Sequence, residues 1–460
     1  MLAGTYPCGV TRRALVIAYH FPPLGGAGVQ RTVKFAQHLP ELGYEPVALT
    51  GPGSGSLMPH DTSLETGLPP DLEVHRVAGP EPGSADGWRG RAERWLRLET
   101  AWNRWWRREL VETGQRIRSI DVVLATMSPF QSATPAAALA RRLGVPWVAD
   151  LRDPWALDEM QVYETGVHRR LDLRRMGADL GSAAAIVMNT PEAADAFASR
   201  FGHIDPSRVH VIPNGFDRAD FEDQVESPDD GVFRIVHTGL LHTSLGLDHR
   251  RSAGVRRLLG GTLGDVDILP RSHIYLLQAV ERVLADLPEL RGRVRVQLAG
   301  ALSDADRSAA APEVVEQLGY LAHRDAVRLL RRGDLLFLPM HQVSPTYRTR
   351  IVPGKTYEYL ASRRPILAGV PPGDARDLLE VSGNATVCDP DDVETMTRIV
   401  RDEARRVLAE GRRPDREVPG IERFERRALA ARLASVLDDV VGAPSTLLVA
   451  DVGSPDALRA

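Results

Sequence analysis

The sequence predicts an α/β protein built of two doubly wound, parallel-sheet domains that face a cleft. Short, continuously apolar runs alternate with helical patterns along most of the chain, which is typical of parallel strands joined by crossover helices. The alternation starts near residue 14, stops in an acidic stretch between Glu222 and Asp230, and starts again at Phe233. A length of 460 residues also exceeds what one hydrophobic core usually serves.

Composition and charge exclude several classes of protein. The chain is 43% hydrophobic and 26% charged, as ordinary globular enzymes are. Its formal net charge of -4 argues against a general nucleic-acid-binding protein. No apolar run reaches the ~18–20 residues that span a bilayer, and the first seven residues lack the pattern of a signal peptide. We therefore expect a cytoplasmic protein whose two cysteines, Cys8 and Cys388, are free thiols.

The first predicted domain covers residues 1–218 and begins with a strand, a Gly-rich loop and a helix. Its predicted strands are residues 14–19, 46–50, 72–77, 121–126, 146–150, 183–190 and, together with a turn, 210–217. The glycines Gly25, Gly26 and Gly28 follow the first strand and would let a phosphate or sugar approach the backbone closely. A plain tight turn is the alternative. A dinucleotide fingerprint is excluded, because Arg31 stands where its last glycine belongs and no acidic residue ends the second strand.

Charged residues follow the predicted strand at residues 146–150. Asp150 ends this strand, and Arg152 and Asp153 come directly after it. Open α/β sheets place their chemistry at the carboxyl ends of their strands, so Asp150 is a candidate functional residue. Asp153 precedes Pro154 and is expected to cap a helix.

Tryptophans and arginines alternate in a helical pattern over residues 88–118. The tryptophans are Trp88, Trp95, Trp102, Trp105 and Trp106. An amphipathic helix of this composition can lie in a membrane interface, so one interpretation is peripheral membrane contact through residues 88–110. The other interpretation is a helix that docks its tryptophans on the core and turns its arginines to solvent.

The second predicted domain covers residues 232–415 and follows a linker at 219–231. Its predicted strands are residues 233–239, 294–300, 315–320, 334–339, 365–368 and 385–389. An arginine- and glycine-rich stretch at residues 243–269 interrupts the pattern and reads as an insertion. A last amphipathic helix is expected to pack back within residues 416–441, before a loose tail at 442–460.

One stretch of the second domain has the features of a phosphate-binding loop. Pro353 and Gly354 break the preceding pattern, and Lys355 and Thr356 stand where a helix begins. Backbone N–H groups at such a start favour anions, and a lysine adds a full positive charge. Glu358 lies on about the same face and could bind ribose hydroxyls. A surface turn followed by an ordinary helix is the alternative.

Lysine is rare in this chain. Lys34 and Lys355 are its only lysines, and the other basic residues are arginines. Together with many Ala, Gly and Pro residues, this bias suggests a GC-rich genome, such as that of an actinobacterium.

Six segments of the chain, in order and spacing, resemble the GT-B glycosyltransferases of the large retaining family four. The segments are Tyr19-His20-Phe21-Pro22-Pro23 with Gly25-Gly26, Ala149-Asp150-Leu151-Arg152-Asp153-Pro154-Trp155, Ile212-Pro213-Asn214-Gly215-Phe216-Asp217, His237-Thr238-Gly239, Leu318-Gly319-Tyr320 and Lys355-Thr356-Tyr357-Glu358-Tyr359-Leu360-Ala361. The resemblance covers most of residues 13–440. It implies two Rossmann-like domains and a sugar donor held mainly by the second domain.

The resemblance also implies a role for each matching residue. The donor would be a nucleotide diphosphate sugar, UDP- or GDP-linked, acting as a co-substrate without a further cofactor. Glu358 would bind the ribose, and Gly319 and Tyr320 would lie near the base. Asp150 and His20 would lie near the reacting carbon. The donor diphosphate would be met by Gly25, Gly26, Gly239, Arg271, Gly354, Lys355 and Thr356.

Arg350 departs from the family pattern, because members carry a sugar-binding glutamate eight residues before the residue matching Glu358. This departure leaves the identity of the sugar open. No Asp-x-Asp triplet sits where a metal site would be convincing, since Asp304-Ala305-Asp306 reads as a helix cap. We therefore expect Lys355, Arg271 and a helix N-terminus to stabilise the leaving diphosphate in place of a metal.

Other functions stay open at this point. A sugar-nucleotide epimerase of the same fold would use the same donor site, and Arg350 is compatible with a binding protein that has lost catalysis. The acceptor could be a sugar, a lipid-linked molecule or a small natural product. Cell-surface polysaccharide or glycolipid assembly and natural-product biosynthesis are therefore both compatible with the sequence.

Overall fold

The structure is a computed structural model that describes residues 11–54, 60–81, 88–96, 98–226 and 228–442. The predicted thiol of Cys8, the N-terminal segment and nearly all of the predicted tail lie outside these residues. Arg97 and the side chains of Trp88, Arg89, Arg91 and Arg94 also lie outside the description. Cys388 is a buried free thiol, as predicted.

Thirteen strands form within the described residues, and every pairing between them is parallel. The strands are β1 (Arg12–Ala18), β2 (Tyr44–Thr50), β3 (Glu73–Arg76), β4 (Val122–Thr126), β5 (Trp147–Leu151), β6 (Ala185–Met188), β7 (Val209–Val211), β8 (Phe233–Thr238), β9 (Val294–Ala299), β10 (Val315–Gly319), β11 (Leu335–Pro339), β12 (Ile366–Gly369) and β13 (Ala385–Cys388). The strands β4, β5, β6, β11 and β12 are buried along their whole length, as their mostly apolar sequences predict.

Helices connect most successive strands. They are α1 (Ala27–His38), α2 (Trp88–Trp95), α3 (Ala101–Gly114), α4 (Ala133–Leu143), α5 (Gly166–Leu180), α6 (Pro191–Arg200), α7 (Thr243–Leu258), α8 (Ile274–Asp286), α9 (Asp304–Ser308), α10 (His323–Arg332), α11 (Lys355–Ala361), α12 (Asp374–Ser382), α13 (Val393–Glu410) and α14 (Arg426–Val441). Thr190 caps α6 by accepting the N–H of Ala193, as the Thr-Pro sequence there predicts.

The chain divides into two compact units. Among the described residues, the first contains those up to Asp158, Val167–Asn214 and those from Arg423 onward, and the second contains Glu159–Gly166 and Gly215–Glu422. Each unit carries one parallel sheet. The predicted fold class of two doubly wound α/β sheets is confirmed.

The first sheet has seven strands in the order β3-β2-β1-β4-β5-β6-β7. Its chain order reverses between β1 and β4, which is where doubly wound sheets open a crevice at the carboxyl ends of their strands. His20 and the Gly-rich loop follow β1, and Asp150 lies at the same edge of the sheet, near the end of β5. The edge therefore gathers the residues that the sequence singled out in this unit.

Two helices cover opposite parts of the first core. Trp102 and Trp106 of α3 pack with Leu15, Leu49 and Leu139 in one apolar cluster. On the other side, α14 buries Leu429, Leu433 and Leu437 against β-strand residues such as Val16 and Leu124. Burial of each such side chain contributes roughly 1.5–3 kcal/mol, so these helices are integral to the fold of the unit.

The burial of the tryptophans decides between the two interpretations of residues 88–118 for α3. Trp106 is fully buried and donates its indole N–H to Ser132 Oγ at 3.2 Å. Trp102 is buried as well and donates to the Pro80 carbonyl at 3.1 Å. The tryptophans of α3 therefore dock on the core, whereas Trp95 of α2 is 55% exposed. No described helix is long and apolar enough to cross a membrane.

The second sheet has six strands in the order β10-β9-β8-β11-β12-β13. The first strand of this unit, β8, lies between β9 and β11, so the crevice position of a doubly wound sheet falls at its carboxyl end. The loop that leaves β11 runs through residues 340–354 into α11. The predicted insertion forms α7 and a loop that pairs with this segment through Asp267 and Gln342 at 2.8 Å.

Of the two helix caps predicted at acidic residues, one is confirmed and the other is wrong. In α9, Ser303 is the N-cap and Asp306 completes a reciprocal capping box, so the Asp304–Asp306 triplet does cap a helix. Asp153 caps no helix, because only a short 3-10 turn at Trp155–Leu157 follows it and Pro154 occupies the cap position. Its carboxylate instead lies 3.4 Å from the guanidinium of Arg152.

Candidate functional site

Gly239, directly after β8, makes room for Lys355. Its φ of +97° is a conformation that residues with a side chain rarely adopt. A Cβ built on Gly239 would lie 2.9 Å from Lys355 Nζ, closer than such contacts occur. The backbone turn therefore favours glycine here, and any larger residue would displace the end of the Lys355 side chain.

Helix α11 is fixed to the end of β8 by Tyr359. The buried Tyr359 hydroxyl accepts the backbone N–H of Thr238 at 3.0 Å. Lys355 is the first residue of this helix. The hydrogen bond thus sets the height of Lys355 beside the Gly239 turn.

Lys355 and His237 form a hydrogen bond in the floor of the site. Lys355 Nζ lies 3.1 Å from His237 Nε2, and His237 Nδ1 lies 3.0 Å from the Phe337 carbonyl. Because only a protonated Nδ1 can donate to that carbonyl, Nε2 carries the lone pair that accepts from Lys355. Complete burial, together with the charge of Lys355, holds the pKa of His237 well below its ordinary value. His237 is therefore a neutral support for the lysine.

Positive charge accumulates around Lys355. Burial and the charge of Arg271 lower the pKa of Lys355 to about 7, although Glu358 opposes the shift. Burial and the charges of Arg271 and Lys355 also lower the pKa of His242 to about 3. The His242 N–H donates to the Arg271 carbonyl at 2.9 Å, which places Arg271 at the start of α7. A site that disfavours its own cation in this way is suited to an anionic ligand.

Glycines line the neighbouring strand ends. The N–H groups of Gly239 and Gly300 donate to the carbonyls of Ala299 and Gly319, both at 2.7 Å. A Cβ on Gly300 would lie 2.4 Å from the Gly239 carbonyl oxygen. Gly319 has a φ of +69°, and the Tyr320 side chain that follows is 45% exposed. This edge of the second sheet thus has no bulky side chains at its glycines, and the partly exposed Tyr320 ring lies beside it.

The carboxylate of Glu358 faces a histidine. Its Oε1 lies 3.9 Å from His323 Nε2, and the same nitrogen lies 3.0 Å from Asp220 Oδ2. The Glu358 side chain keeps 16% of its surface exposed. Glu358 is therefore positioned one helical turn beyond Lys355 and stays within reach of solvent.

Two of the predicted diphosphate contacts differ in character from the others. Thr356 is fully buried, and its N–H donates to the Pro353 carbonyl at 2.9 Å. Its amide is therefore engaged within the turn, and its contact with the diphosphate stays a prediction. Gly354, the N-cap of α11, has an ordinary helical φ of −54°, so the turn does not depend on the special freedom of glycine.

Sequence reasoning missed a buried carboxylate in this unit. Glu159 and His341 are both fully buried, and Glu159 Oε1 lies 3.2 Å from His341 Nε2. The same oxygen accepts the backbone N–H of Arg350 at 3.2 Å. A carboxylate therefore lies beside residue 350 after all, although it comes from a residue 191 positions away in the sequence. No local pattern could have indicated this pairing.

In the first unit, Asp150 is committed to an ion pair. Its carboxylate accepts from Arg31 Nη2 at 2.7 Å and from Arg31 Nε at 3.0 Å. Arg31 also donates to the carbonyls of Ile212 and Pro213, at 2.9 Å and 2.7 Å. Asp150 and Arg31 are 1% and 6% exposed. This geometry ties β5, α1 and the segment after β7 together, and it holds the Asp150 carboxylate against Arg31.

His20 and the Gly-rich loop lie near Arg152. Burial and the charge of Arg152 lower the pKa of His20 to about 4, so the imidazole is neutral near pH 7. A Cβ on Gly28 would overlap the Arg152 guanidinium at 1.0 Å. Gly26 is the N-cap of α1 with a φ of +108°. The loop glycines thus let Arg152, which sequence reasoning did not assign, lie over the start of α1.

The first unit matches a described protein family. A sequence profile of Glycosyltransferase Family 4 matches residues 25–220, which include the Gly-rich loop, β5 and the Arg31–Asp150 pair. This stretch of the chain is thus similar to glycosyltransferase family 4. No curated protein sequence matches the chain.

Solved structures show that the chain has the GT-B fold across both units. Sucrose-phosphate synthase from Thermosynechococcus elongatus superposes with a TM-score of 0.59 at 14% identity, covering 93% of this chain and 98% of that protein. Anabaena Alr3699/HepE in complex with UDP and glucose gives 0.52 at 14% identity, covering 94% and 95%. A trehalose-6-phosphate protein from E. coli, bound with UDP-2-fluoro glucose, gives 0.54 at 12% identity, covering 93% and 96%. At these identities the likeness is one of fold.

The predicted residues thus fall into two groups, one at the edge of each sheet. Gly239, Arg271 and Lys355 gather at the carboxyl edge of the second sheet. Gly25, Gly26 and His20 lie at the corresponding edge of the first sheet, where Asp150 is occupied by Arg31. The contributions of Arg31, Arg152, His237 and Glu159 appear only in three dimensions, because each depends on a partner far away in the sequence.

Proposed function

We propose that the chain transfers a sugar from a nucleotide diphosphate sugar to an acceptor hydroxyl, with retention of configuration. The observation that carries this proposal is Lys355, held against the Gly239 turn with Arg271 close enough to depress its pKa. Two cations beside an open glycine edge, at the carboxyl end of a parallel sheet, suit a diphosphate.

The charge of the site matches the change in charge during transfer. Breaking the bond between the anomeric carbon and the diphosphate leaves additional negative charge on the leaving nucleotide. Lys355 and Arg271 would offset this charge, and fixed cations in a partly buried site are more effective than solvated ones. His237 keeps the Lys355 side chain in place, so little reorganisation is needed when the charge develops. We expect transfer to proceed in the presence of a chelator.

Glu358 and Tyr320 complete the proposed donor site. Glu358, with part of its carboxylate exposed, would accept hydrogen bonds from the ribose hydroxyls. The exposed Tyr320 ring after Gly319 would lie by the base. UDP is the first nucleotide to test, because two of the three solved structures named above hold UDP or a UDP-sugar analogue; GDP is the second.

On the first unit, we propose that His20 meets the acceptor hydroxyl. Its imidazole is neutral and its Nδ1 has no hydrogen-bond partner among the described residues, so it can accept or share a proton. Asp150 would act through Arg31, by fixing the floor of this edge. The acceptor is a sugar, a lipid-linked molecule or a small natural product, in surface polysaccharide, glycolipid or natural-product biosynthesis.

A pair of substitutions tests the donor assignment. We expect Lys355→Ala to reduce transfer from a radiolabelled UDP- or GDP-sugar by about 100-fold or more, since it removes charge stabilisation of the leaving group. Glu358→Ala should chiefly raise the KM for the donor. The only other lysine provides a matched control, because Lys34 contacts Gln37 on α1 and Lys34→Ala should leave transfer unchanged. Full transfer by both site variants would show that the donor site lies elsewhere.

A further inference from the structure

A short excursion of the chain carries Glu159 into the second unit. Residues 159–166 follow β5 and precede most of α5, yet they pack with the second unit. The Tyr163 N–H donates to the Gly261 carbonyl at 2.9 Å, and the Gly166 N–H donates to the Leu259 carbonyl at 2.7 Å. Met160 and Val162 pack on an apolar cluster that includes Val343. The excursion is therefore fixed at several points and holds Glu159 rigidly.

The Glu159 carboxylate joins the two ends of one loop. His341 lies just after β11, and Arg350 lies five residues before Lys355. Glu159 Oε1 is 3.2 Å from both His341 Nε2 and the Arg350 backbone nitrogen. One oxygen atom, Glu159 Oε1, therefore contacts both ends of the loop between these two residues.

The energetics of this carboxylate are unusual for a purely structural group. Glu159 has no exposed surface, and its Oε2 has no hydrogen-bond partner among the described residues. Burying a carboxylate is costly, and an apolar side chain of similar size often stabilises a fold at least as well. A role in placing the loop would account for an acceptor oxygen at this buried position.

The loop leads directly to the proposed diphosphate site. After Arg350, the chain passes through Pro353 and Gly354 to Lys355. At its other end, His341 is close enough for its charge to act on His242, which in turn feels Arg271 and Lys355. A shift of the loop would therefore move Lys355 relative to the Gly239 turn.

We propose that Glu159 is a positioning residue for donor binding, which clamps both ends of loop 341–350 so that Lys355 meets the diphosphate. This inference rests on the proposed function. It assigns to a residue of the β5–α5 connection a role in the donor site of the second unit.

The test compares three variants of Glu159 with a matched control. Glu159→Ala removes the clamp, whereas Glu159→Gln keeps an oxygen that can accept the Arg350 N–H, and Glu159→Asp keeps the charge on a shorter side chain. Asp334 is the control, because it is another buried carboxylate that accepts a backbone N–H, from Arg234 at 2.8 Å, at the opposite end of the same sheet. Asp334→Ala should destabilise the protein without affecting the donor site.

Two measurements are needed on the full-length protein. Hydrogen–deuterium exchange without nucleotide should be faster in residues 343–356 of Glu159→Ala and unchanged there in Asp334→Ala. The Kd for UDP or GDP should rise about tenfold in Glu159→Ala, less in Glu159→Asp, and return to near the wild-type value in Glu159→Gln. If Glu159→Ala does not fold, the comparison of Glu159→Asp with Glu159→Gln carries the test.

The outcomes separate this inference from the proposed function. If the wild-type protein binds UDP or GDP and the Glu159 variants bind it equally well, with unchanged exchange, the positioning role is wrong while the proposed function stands. If Asp334→Ala weakens binding as much as Glu159→Ala does, the effect is one of general stability and the inference is again overturned. If the wild-type protein binds neither nucleotide, the proposed function falls, and exchange in residues 343–356 still reports whether the clamp exists.

Discussion

The two sheets end in charged residues that are used in opposite ways. At the edge of the first sheet, Arg31 and Asp150 neutralise each other through several hydrogen bonds and are almost completely buried. At the edge of the second sheet, Lys355 lies beside a neutral histidine and a second cation, Arg271, and its pKa is lowered. The first arrangement is complete within the protein. We propose that the second is stabilised by an anionic ligand, and this difference distinguishes a structural ion pair from a proposed binding site.

The largest effect should come from breaking the buried pair of the first unit. Asp150→Ala leaves the Arg31 guanidinium buried with only backbone carbonyls as partners, which should cost about 3–5 kcal/mol of unfolding free energy. Glu45→Ala, which breaks the exposed pair between Glu45 and Arg13, should cost about 1 kcal/mol or less. Urea denaturation of both variants measures the difference. Equal losses of unfolding free energy in the two variants would show that the Arg31–Asp150 pair stabilises the fold no more than an exposed ion pair does.

A smaller effect should separate backbone strain from the contact with Lys355. Gly239→Ala places a Cβ 2.9 Å from Lys355 Nζ, at a φ of +97°. Gly292→Ala is the matched control, because Gly292 has a φ of +78° with nothing within 4 Å of its Cβ position. Each should lose about 1–2 kcal/mol of stability through strain, but only Gly239→Ala should also weaken nucleotide binding. Calorimetric titration with UDP and GDP measures this, and equal binding by the two variants would disprove the role of the Gly239 turn.

Much of the fold follows from local sequence. The apolar runs that form β1, β4, β8 and β11 are buried on both faces of their sheets. Continuous apolar sequence of this kind is typical of parallel sheets that helices cover on both sides. The strand boundaries shift by a few residues, because the ends of strands depend on their neighbours. Trp102 and Trp106 show the limit of this reasoning, since helical spacing alone could not decide whether they face the core or a membrane.

The candidate site was predictable where one segment carries the chemistry. Gly354, Lys355 and Glu358 lie within five residues of each other, so their association could be read directly. Asp150 could be recognised as a special residue, but its partner Arg31 lies 119 positions away. From the sequence alone, a carboxylate in a buried ion pair cannot be distinguished from a catalytic carboxylate. Glu159 had no signal at all, because it gains its meaning from Arg350 and His341 in the folded chain.

We propose that Lys355 binds the donor diphosphate as a cation. Its pKa is about 7 in the free protein, and an anion beside it should raise that value. Above about pH 7 the lysine must therefore take up a proton when the nucleotide binds, and the affinity should fall as the pH rises. The terminal phosphate of UDP is already fully ionised at about pH 8, since its second pKa is about 6.

Calorimetry in buffers of different ionisation enthalpy measures this proton uptake directly. At about pH 8, we expect the wild-type protein to take up most of one proton for each UDP or GDP bound. Lys34→Ala should behave in the same way. Lys355→Met should bind weakly, with no linked proton. Wild-type binding that is tight but independent of pH between about pH 7 and about pH 9 would contradict the assignment of Lys355 to the diphosphate.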